Sequence, residues 1–364
     1  MPPEPRPHPP DALSPLSDYT PDEIAEFLHL KPFQGKQIFR WLHQKKVFDF
    51  DAMTDLSKPL RETLKDTCLP AQLERVHLAE SPRSGTKKIL FQLRDGETIE
   101  SVYLTDRNRV TLCVSSQAGC ALACAFCATG RTVFRRNLSA GEIVEQVLHL
   151  LEGPEREQDD FGNRRDDRTP NIVYMGMGEP FRNYDAVMKS IRLLMMPDGL
   201  GIGARKITLS TVGDVTGIRR FARENGQMRL AISLHAANDN LRSRLIPLNR
   251  TAPLAELMRA TRYYVATTGR RPSFEWVLLD GVNDSLKDAR ELAGLIEGIP
   301  ASVNLIPYNP VPGVSYQPSP RKKCQVFLDA LAQAGITATL RRERGVDIDA
   351  ACGQLRSRNL PSPG

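Results

Sequence analysis

The chain has 364 residues, of which 41% are apolar and 25% are charged, and its formal net charge is +6. Such a composition can bury a sizeable core, and the mild excess of positive charge suits a partner that carries phosphates. The seven cysteines, three of them clustered, do not form the pattern of a secreted disulfide framework. No apolar stretch resembles a signal peptide or approaches the ~18–20 residues needed to cross a bilayer, so we expect a cytoplasmic protein without a membrane partner.

The first 71 residues predict a disordered extension followed by a small helical domain. Residues 1–20 are rich in proline and have no hydrophobic period, which predicts disorder. Residues 21–71 contain three helical patterns, and Thr20 is placed to cap the first. The second pattern is basic, with charges that mostly project away from its apolar face: Lys36, Arg40, Lys45 and Lys46. Taken alone, this charge favours an ordinary solvated helix face.

The middle of the chain changes from antiparallel to parallel β-structure. Residues 72–106 alternate in hydrophobicity and predict a β-extension of two or three antiparallel strands. Residues 107–340 alternate six buried strand patterns with helical patterns, which predicts a parallel sheet that is either curled into an open barrel or doubly wound. In both folds the functional residues lie at the carboxyl ends of the strands. The charged residues 152–167 have no periodicity and are interpreted as a variable insertion, and residues 341–364 form a C-terminal segment.

Three cysteines follow the first parallel strand directly, in the spacing C-x3-C-x2-C: Cys120, Cys124 and Cys127. Three ligands are one short of either a tetrahedral zinc site or a four-iron cluster. Cys113 could complete a zinc site, although it lies within a strand pattern rather than in a zinc knuckle. A 4Fe-4S cluster with one open iron explains the missing ligand better, since the amino and carboxylate groups of S-adenosylmethionine (SAM) can bind there. Unrelated buried cysteines remain the third interpretation.

Six motifs in order carry a resemblance to a known family: SSQAGCALACAFCATG, VYMGMGEP, LSTVG, SLHAAND, NLIPYNP and RGVDIDAACGQL. From about Pro21 to Leu355 the chain resembles the RlmN family of the radical SAM superfamily. That resemblance implies an α/β fold, a partial (βα)6 radical-SAM barrel with a small N-terminal helical domain and a β-strand extension. It also implies methylation of C2 of an adenine in 23S rRNA and of the adenine next to the anticodon in tRNAs.

The resemblance assigns roles to residues at matching positions. Cys352 is implied to receive a methyl group, Cys113 to be the resolving thiol, and Glu100 to accept a proton. The iron–sulfur ligands are the three clustered cysteines, and the implied SAM contacts lie at successive strand ends: Gly178, Glu179, Ser210, Ser233, Leu234, His235 and Asn309. Cys68 and Cys324 lie in no motif and are interpreted as structural.

The implied mechanism uses two SAM molecules per turnover and one 4Fe-4S cluster. The first SAM methylates Cys352, and the second yields a radical that activates this methyl for addition to the adenine. Cys113 then releases the base and leaves a transient disulfide with Cys352. The implied partners are 23S rRNA, tRNA and an electron donor such as flavodoxin or ferredoxin, and a monomer is expected. The basic helical module becomes a candidate grip on the RNA backbone.

Two alternatives remain at this point. One is the sister activity that methylates the same ribosomal adenine at C8 with the same cluster and cysteine pair. The motifs MGMGEP and DIDAACGQL favour the C2 enzyme. The other is a non-catalytic iron–sulfur or zinc protein that binds RNA, which the open fourth ligand and the distant cysteine pair oppose.

Overall fold

The computed structural model describes residues 13–106, 109–151, 169–224, 226–341 and 345–355. The predicted insertion at 152–167, residues 1–12 and the last residues of the C-terminal segment lie outside these ranges. Within them, no helix combines the length and the apolar character needed to span a bilayer.

The N-terminal module contains the three predicted helices and two short strands. Its elements are β1 (Ser14–Pro15), α1 (Pro21–Phe27), α2 (Pro32–Phe39), which continues as a π-helical turn over Arg40–Gln44, α3 (Lys58–Thr67) and β2 (Cys68–Leu69). A capping box starts α1, because Thr20 and Glu23 exchange hydrogen bonds between side chain and backbone. The expectation of disorder through residue 20 is wrong for the residues from 14 onwards. β1 pairs with β2, and Leu16 is fully buried in the core.

Next come the antiparallel extension and the parallel strands. In chain order they are β3 (Leu73–Glu80), β4 (Lys87–Leu93), β5 (Thr98–Asp106), β6 (Arg109–Cys113), β7 (Gln117–Ala118), β8 (Arg136–Asn137), α4 (Ala140–Leu150), β9 (Asn171–Tyr174), α5 (Tyr184–Met195), β10 (Ile207–Thr211), α6 (Val215–Ala222), β11 (Arg229–Ser233), α7 (Asp239–Leu245), α8 (Leu254–Thr268), β12 (Ser273–Leu278), α9 (Leu286–Leu295), β13 (Ser302–Pro307), α10 (Arg321–Gln333) and β14 (Ala338–Leu340). All six predicted parallel strands are present, and β14 adds a seventh that pairs with β13.

One ten-stranded sheet runs in the order β14-β13-β12-β11-β10-β9-β6-β5-β4-β3. A cavity of about 830 Å³ is lined by residues of all seven parallel strands, from Thr111 on β6 to Thr339 on β14. A sheet whose first and last parallel strands line the same cavity is curled rather than flat. The architecture is therefore an open barrel, and the doubly wound alternative is wrong.

Helix α4 joins the N-terminal module to the barrel and is buried along its whole length. Its central residue Glu145 is fully buried and accepts hydrogen bonds from Ser17 Oγ (2.5 Å) and from the backbone N–H groups of Gln72 (2.7 Å) and Leu73 (2.9 Å). Burial raises the pKa of this carboxyl to about 8, although the three hydrogen bonds oppose the shift. Glu145 thus connects the module, the start of the β-extension and the barrel.

Candidate active site

The cysteine triad lies in a loop that small residues fold tightly at the carboxyl end of β6. Gly119 has φ +77, and a Cβ there would come within 2.1 Å of the Val133 carbonyl oxygen. Ala123, between two of the cysteines, is one of the few non-glycine residues with positive φ, at 51. A Cβ at Gly130 would come within 2.8 Å of the Cys124 backbone. The loop has room for little besides its cysteine side chains.

The three sulfurs form a soft donor set, in which Cys124 is buried and Cys120 and Cys127 are partly exposed. Burial raises the pKa of Cys120 to about 11 and holds the pKa of Cys124 well above its usual value, where the charges of Cys127 and Cys120 add to the effect. Burial also raises the pKa of Cys127, while the backbone N–H groups of Gly130 and Thr129 favour its thiolate. Three thiol donors in one loop fit an iron–sulfur cluster, because a cluster takes each cysteine on a different iron.

Cys113 and Cys352 line the same barrel cavity although they are far apart in sequence. Burial raises the pKa of Cys113 to about 12, and the charge of Cys352 adds to this effect, whereas Arg341 opposes it. The electrostatic partners of Cys113 are therefore Cys352 and Arg341 rather than the triad, which opposes a four-cysteine zinc site. All seven cysteines of the chain are free thiols, so the implied Cys113–Cys352 disulfide is absent from this structure.

The segment that carries Cys352 rests on the triad loop. The Ala128 N–H donates to the Gly353 carbonyl oxygen (2.7 Å), and the Thr129 hydroxyl donates to the Leu355 carbonyl oxygen (2.5 Å). Gly353 has φ +82, which this turn requires. Cys352 itself is exposed at the mouth of the cavity. The loop that holds the triad therefore also fixes the position of the methyl-accepting candidate.

Glu100 is buried, at 3% exposure, and is not a surface carboxylate. Its Oε1 lies 3.1 Å from Lys88 Nζ, and Lys88 also donates to the Asp349 carbonyl oxygen. The register pairs Val102 with Cys113, and since side chains alternate along a strand, Glu100 lies on the same face as Cys113. Lys88 is a site residue that sequence reasoning missed.

The predicted SAM contacts of the second and third parallel strands lie close together. Gly178 has φ +98, and a Cβ there would come within 2.5 Å of the Gln117 side chain. Glu179 is buried, its Oε2 accepts from the Val212 N–H (3.0 Å), and burial raises its pKa to about 7. The Glu179 carboxylate, which lies beside the triad, thereby joins the segment that follows β9 to the segment that follows β10.

The remaining predicted contacts follow the next strand ends. The hydroxyl oxygens of Ser210 and Ser233 lie 3.4 Å apart. His235 has φ +58, and its Nδ1 accepts from the Val277 N–H (3.0 Å), while burial lowers its pKa to about 3. Asn309 lines the cavity with Cys113 and Cys352. The Leu234 side chain lies in the apolar core, its backbone N–H donates to the Glu275 carbonyl oxygen (3.0 Å), and its carbonyl oxygen accepts from Arg242 (3.1 Å).

Known protein families and known sequences match this chain. Residues 15–69 match the family described as "Ribosomal RNA large subunit methyltransferase N-terminal domain", and residues 114–293 match "Radical SAM superfamily". A "Probable dual-specificity RNA methyltransferase RlmN" of Heliobacterium modesticaldum is 48% identical over 92% of this chain and 88% of its own length. Another of that name, from Staphylococcus carnosus, is 48% identical over 90% of this chain and 87% of its own length.

The chain belongs to the RlmN family. A solved radical SAM methyltransferase from Sphaerobacter thermophilus is 46% identical, covers 95% of this chain and 100% of its own, and superimposes with a TM-score of 0.88. The recognition of the RlmN family and of the radical SAM fold from sequence is confirmed. The match to the N-terminal domain begins at residue 15, within the stretch that was expected to be disordered.

Two arginines near the site were also missed by sequence reasoning. Arg242, on α7, is buried and donates to the carbonyl oxygens of Leu234 and Val212, so it ties two strand ends together. Arg341 follows the short strand β14 and contacts Cys352, with Nη1 at 3.6 Å from Sγ. Both arginines stand among other basic residues, and only the alternating run TATLR preceding Arg341 hints at a strand that would direct it inward.

Proposed function

We propose that the chain is the SAM-dependent methyltransferase that places a methyl group on C2 of adenine in 23S rRNA and of the adenine next to the anticodon in tRNAs. The observation that carries the proposal is the meeting of Cys113, Cys352 and the triad loop at one mouth of the barrel cavity. C2 of adenine is electron-poor and a weak nucleophile, so direct attack on a sulfonium methyl fails there. A cysteine that first takes the methyl and then delivers it solves this problem.

The triad would hold the cluster, and the SAM contacts would follow the strand ends. When bound, the 4Fe-4S cluster and SAM supply the methyl group and the radical chemistry. The triad fits this role as a set of three soft donors. Among the predicted SAM contacts, Glu179 acts electrostatically on Cys120 and Cys124, His235 contacts Phe126 of the triad loop, and Asn309 lines the cavity. The other predicted contacts follow neighbouring strand ends: Gly178, Ser210, Ser233 and Leu234.

Cys352 would carry the carbon, since it is exposed and lines the cavity together with Cys113. Once that carbon is joined to C2 of the base, Glu100 would accept the C2 proton, and the iron–sulfur cluster, when bound, would be available to take up the one unpaired electron. Cys113 would then attack the Cys352 sulfur: the disulfide forms, the bond from sulfur to carbon breaks, and the carbon keeps the electron pair and takes a proton to become the methyl group. The disulfide is transient and is reduced before the next turnover.

The basic module would hold the RNA backbone. Separately, an electron donor such as flavodoxin or ferredoxin would supply electrons to the cluster. Arg40 forms an ion pair with Asp198 on the barrel side, so its charge is already engaged. Lys45 stacks on Trp41, with Nζ 3.2 Å from the ring centroid. Lys36, which is exposed on α2, is therefore the better candidate for a phosphate contact.

Nucleoside mass analysis tests the proposal. Anaerobically reconstituted protein is incubated with SAM, a reductant and either a ribosomal RNA fragment or tRNA, and the RNA is then digested. We expect 2-methyladenosine from the wild type and from the Cys68→Ala control, and none from Cys352→Ala. An 8-methyladenosine product would reassign the chain to the sister activity, and 2-methyladenosine from Cys352→Ala would refute the role of that cysteine.

A further inference from the structure

Arg341 is placed at the cysteine pair by the last strand of the barrel. Its backbone N–H donates to the Leu305 carbonyl oxygen (2.8 Å), which extends the pairing of β14 with β13 by one residue. The register sets Glu275, Asn304 and Thr339 side by side on the cavity face. Because side chains alternate along a strand, Arg341 follows Thr339 on that same face, one step closer to the strand ends. Its Nη1 reaches within 3.6 Å of the Cys352 sulfur.

A buried carboxylate lies behind the guanidinium. Glu275 is 3% exposed, and its Oε1 accepts from Ser273 Oγ (2.9 Å) and Asn304 Nδ2 (2.8 Å). Thr339 completes this chain of bonds by donating to Asn304 Oδ1 (2.8 Å). Oε2 of Glu275 is buried and has no hydrogen-bond partner among the described residues. A buried carboxylate needs a positive partner, and Arg341 lines the same cavity.

The charges around Arg341 agree with this placement. The pKa of Arg341 is raised above its usual value, first by the charge of Cys352 and further by those of Glu275 and Cys113, against the opposing effect of burial. These three groups come from the C-terminal segment, β12 and β6. The Arg341 guanidinium is thus close enough to both Cys113 and Cys352 to act on their charges, and the Glu275 carboxylate acts on the same guanidinium.

We propose that Arg341 is a further catalytic residue, whose guanidinium binds the sulfur of Cys352 and faces that of Cys113 so that one cation serves both thiols. The role rests on the proposed function. In the release step the Cys113 sulfur donates an electron pair to form the disulfide. The bond from the Cys352 sulfur to the RNA-linked carbon breaks, its pair stays on that carbon, and a proton from water completes the methyl group. Arg341 stabilises the negative sulfur before each transfer.

Charge-selective alkylation tests the contact without RNA or cofactor. Full-length protein is treated at one pH with iodoacetate, which is anionic, or iodoacetamide, which is neutral, and peptide mapping gives the two rates at Cys352. We expect Arg341→Gln to lower the ratio of the anionic to the neutral rate about fivefold, as the loss of one nearby charge in water predicts. Arg341→Lys keeps the positive charge, so it should retain most of the wild-type ratio of anionic to neutral rate. Arg271→Gln, at the opposite end of the same cavity, is the matched control and leaves it unchanged.

An unchanged ratio in Arg341→Gln overturns the proposal. The salt dependence of the alkylation ratio in the wild-type protein tests the contact even if Arg341→Gln does not fold. Raising the salt from about 0.01 M to about 1 M should lower the ratio towards that of an isolated cysteine peptide. A wild-type ratio equal to that of the peptide at low salt also overturns it.

Product formation then separates this role from the proposed function. Arg341→Gln should form 2-methyladenosine at least about tenfold more slowly than the wild type, with partial rescue by Arg341→Lys. If the alkylation ratio falls while the wild type forms no 2-methyladenosine, the cation contact stands and the proposed function fails. If wild type and Arg341→Gln form product at equal rates, the proposed function stands and the catalytic role of Arg341 fails.

Discussion

The N-terminal module and the C-terminal segment are both attached to the barrel, but in different ways. The module is joined through several contacts, among them the Arg40–Asp198 ion pair and a buried junction at which Glu145 receives three hydrogen bonds from two other parts of the chain. The segment over residues 345–355 is joined by single bonds to separate regions: Asp347 to Ser81, the Asp349 carbonyl to Lys88, Gly353 to Ala128, Gln354 to Pro310 and Leu355 to Thr129.

The two attachments differ in how deeply their hydrogen bonds are buried. A buried carboxylate with three donors is lost only with the core around it. Single hydrogen bonds at the cavity mouth contribute about 1 kcal/mol each. The segment also packs Ala350 and Leu355 into the core, so the position of Cys352 depends on this packing as well as on the bonds to the triad loop and the other regions.

The largest effect is expected from the loop that supports the segment. Cys124→Ser should abolish the iron–sulfur absorption of the reconstituted protein and all product, because the cluster loses a soft ligand. Absorption spectroscopy after anaerobic reconstitution measures this. Cys324→Ser, at a buried cysteine outside the loop, should keep both properties. A Cys124→Ser protein with an unchanged spectrum would refute the ligand assignment.

A smaller effect is expected from removing the hydrogen bonds of the Gln354 side chain. Gln354 is buried, receives the Ala351 N–H and donates to the Pro310 carbonyl oxygen, and it does not contact the triad. Gln354→Leu should slow single-turnover methylation about tenfold while the cluster absorption stays unchanged. The exposed Gln325→Leu is the matched control. If Gln354→Leu works at the wild-type rate, the position of Cys352 does not depend on this contact.

The smallest effect on methylation is expected at the buried junction of the module, where the change is in stability. The pKa of Glu145 is raised from 4.5 to about 8, so the folded protein keeps a proton that the unfolded chain releases. The free energy of unfolding should therefore fall as pH rises between about 4.5 and 8, by up to about 1.4 kcal/mol per pH unit from this group. Glu145→Gln should remove that contribution, as followed by urea unfolding at several pH values. Glu62→Gln, on the exposed face of α3, should keep the wild-type slope.

Sequence reasoning found the local features and missed those set by tertiary contacts. The six strands and the triad were predicted because buried runs and ligand spacing are local properties. Strand β14 was missed because its three residues are too short for a period to show. Leu16 was missed because a single apolar residue in a proline-rich stretch gives no sign that it is buried.

The open barrel could not be derived from periodicity, since alternating strands and helices are common to both parallel folds. The roles of Cys113 and Cys352 came only from the resemblance, because neither has flanking residues that mark it as reactive. Arg341 and Glu275 come together through the register of β12 to β14, which no local pattern encodes.

The central claim is that Cys113 and Cys352 act as a pair on one RNA base beside the triad. Cys113→Ala removes only the thiol that releases the base, so the protein should stay joined to its RNA through Cys352. Denaturing gel electrophoresis of the reconstituted variant after reaction with labelled RNA is the direct measurement. We expect a protein–RNA band that maps to Cys352 and is absent from the Cys352→Ala variant. Free methylated RNA from Cys113→Ala, without such a band, would contradict it.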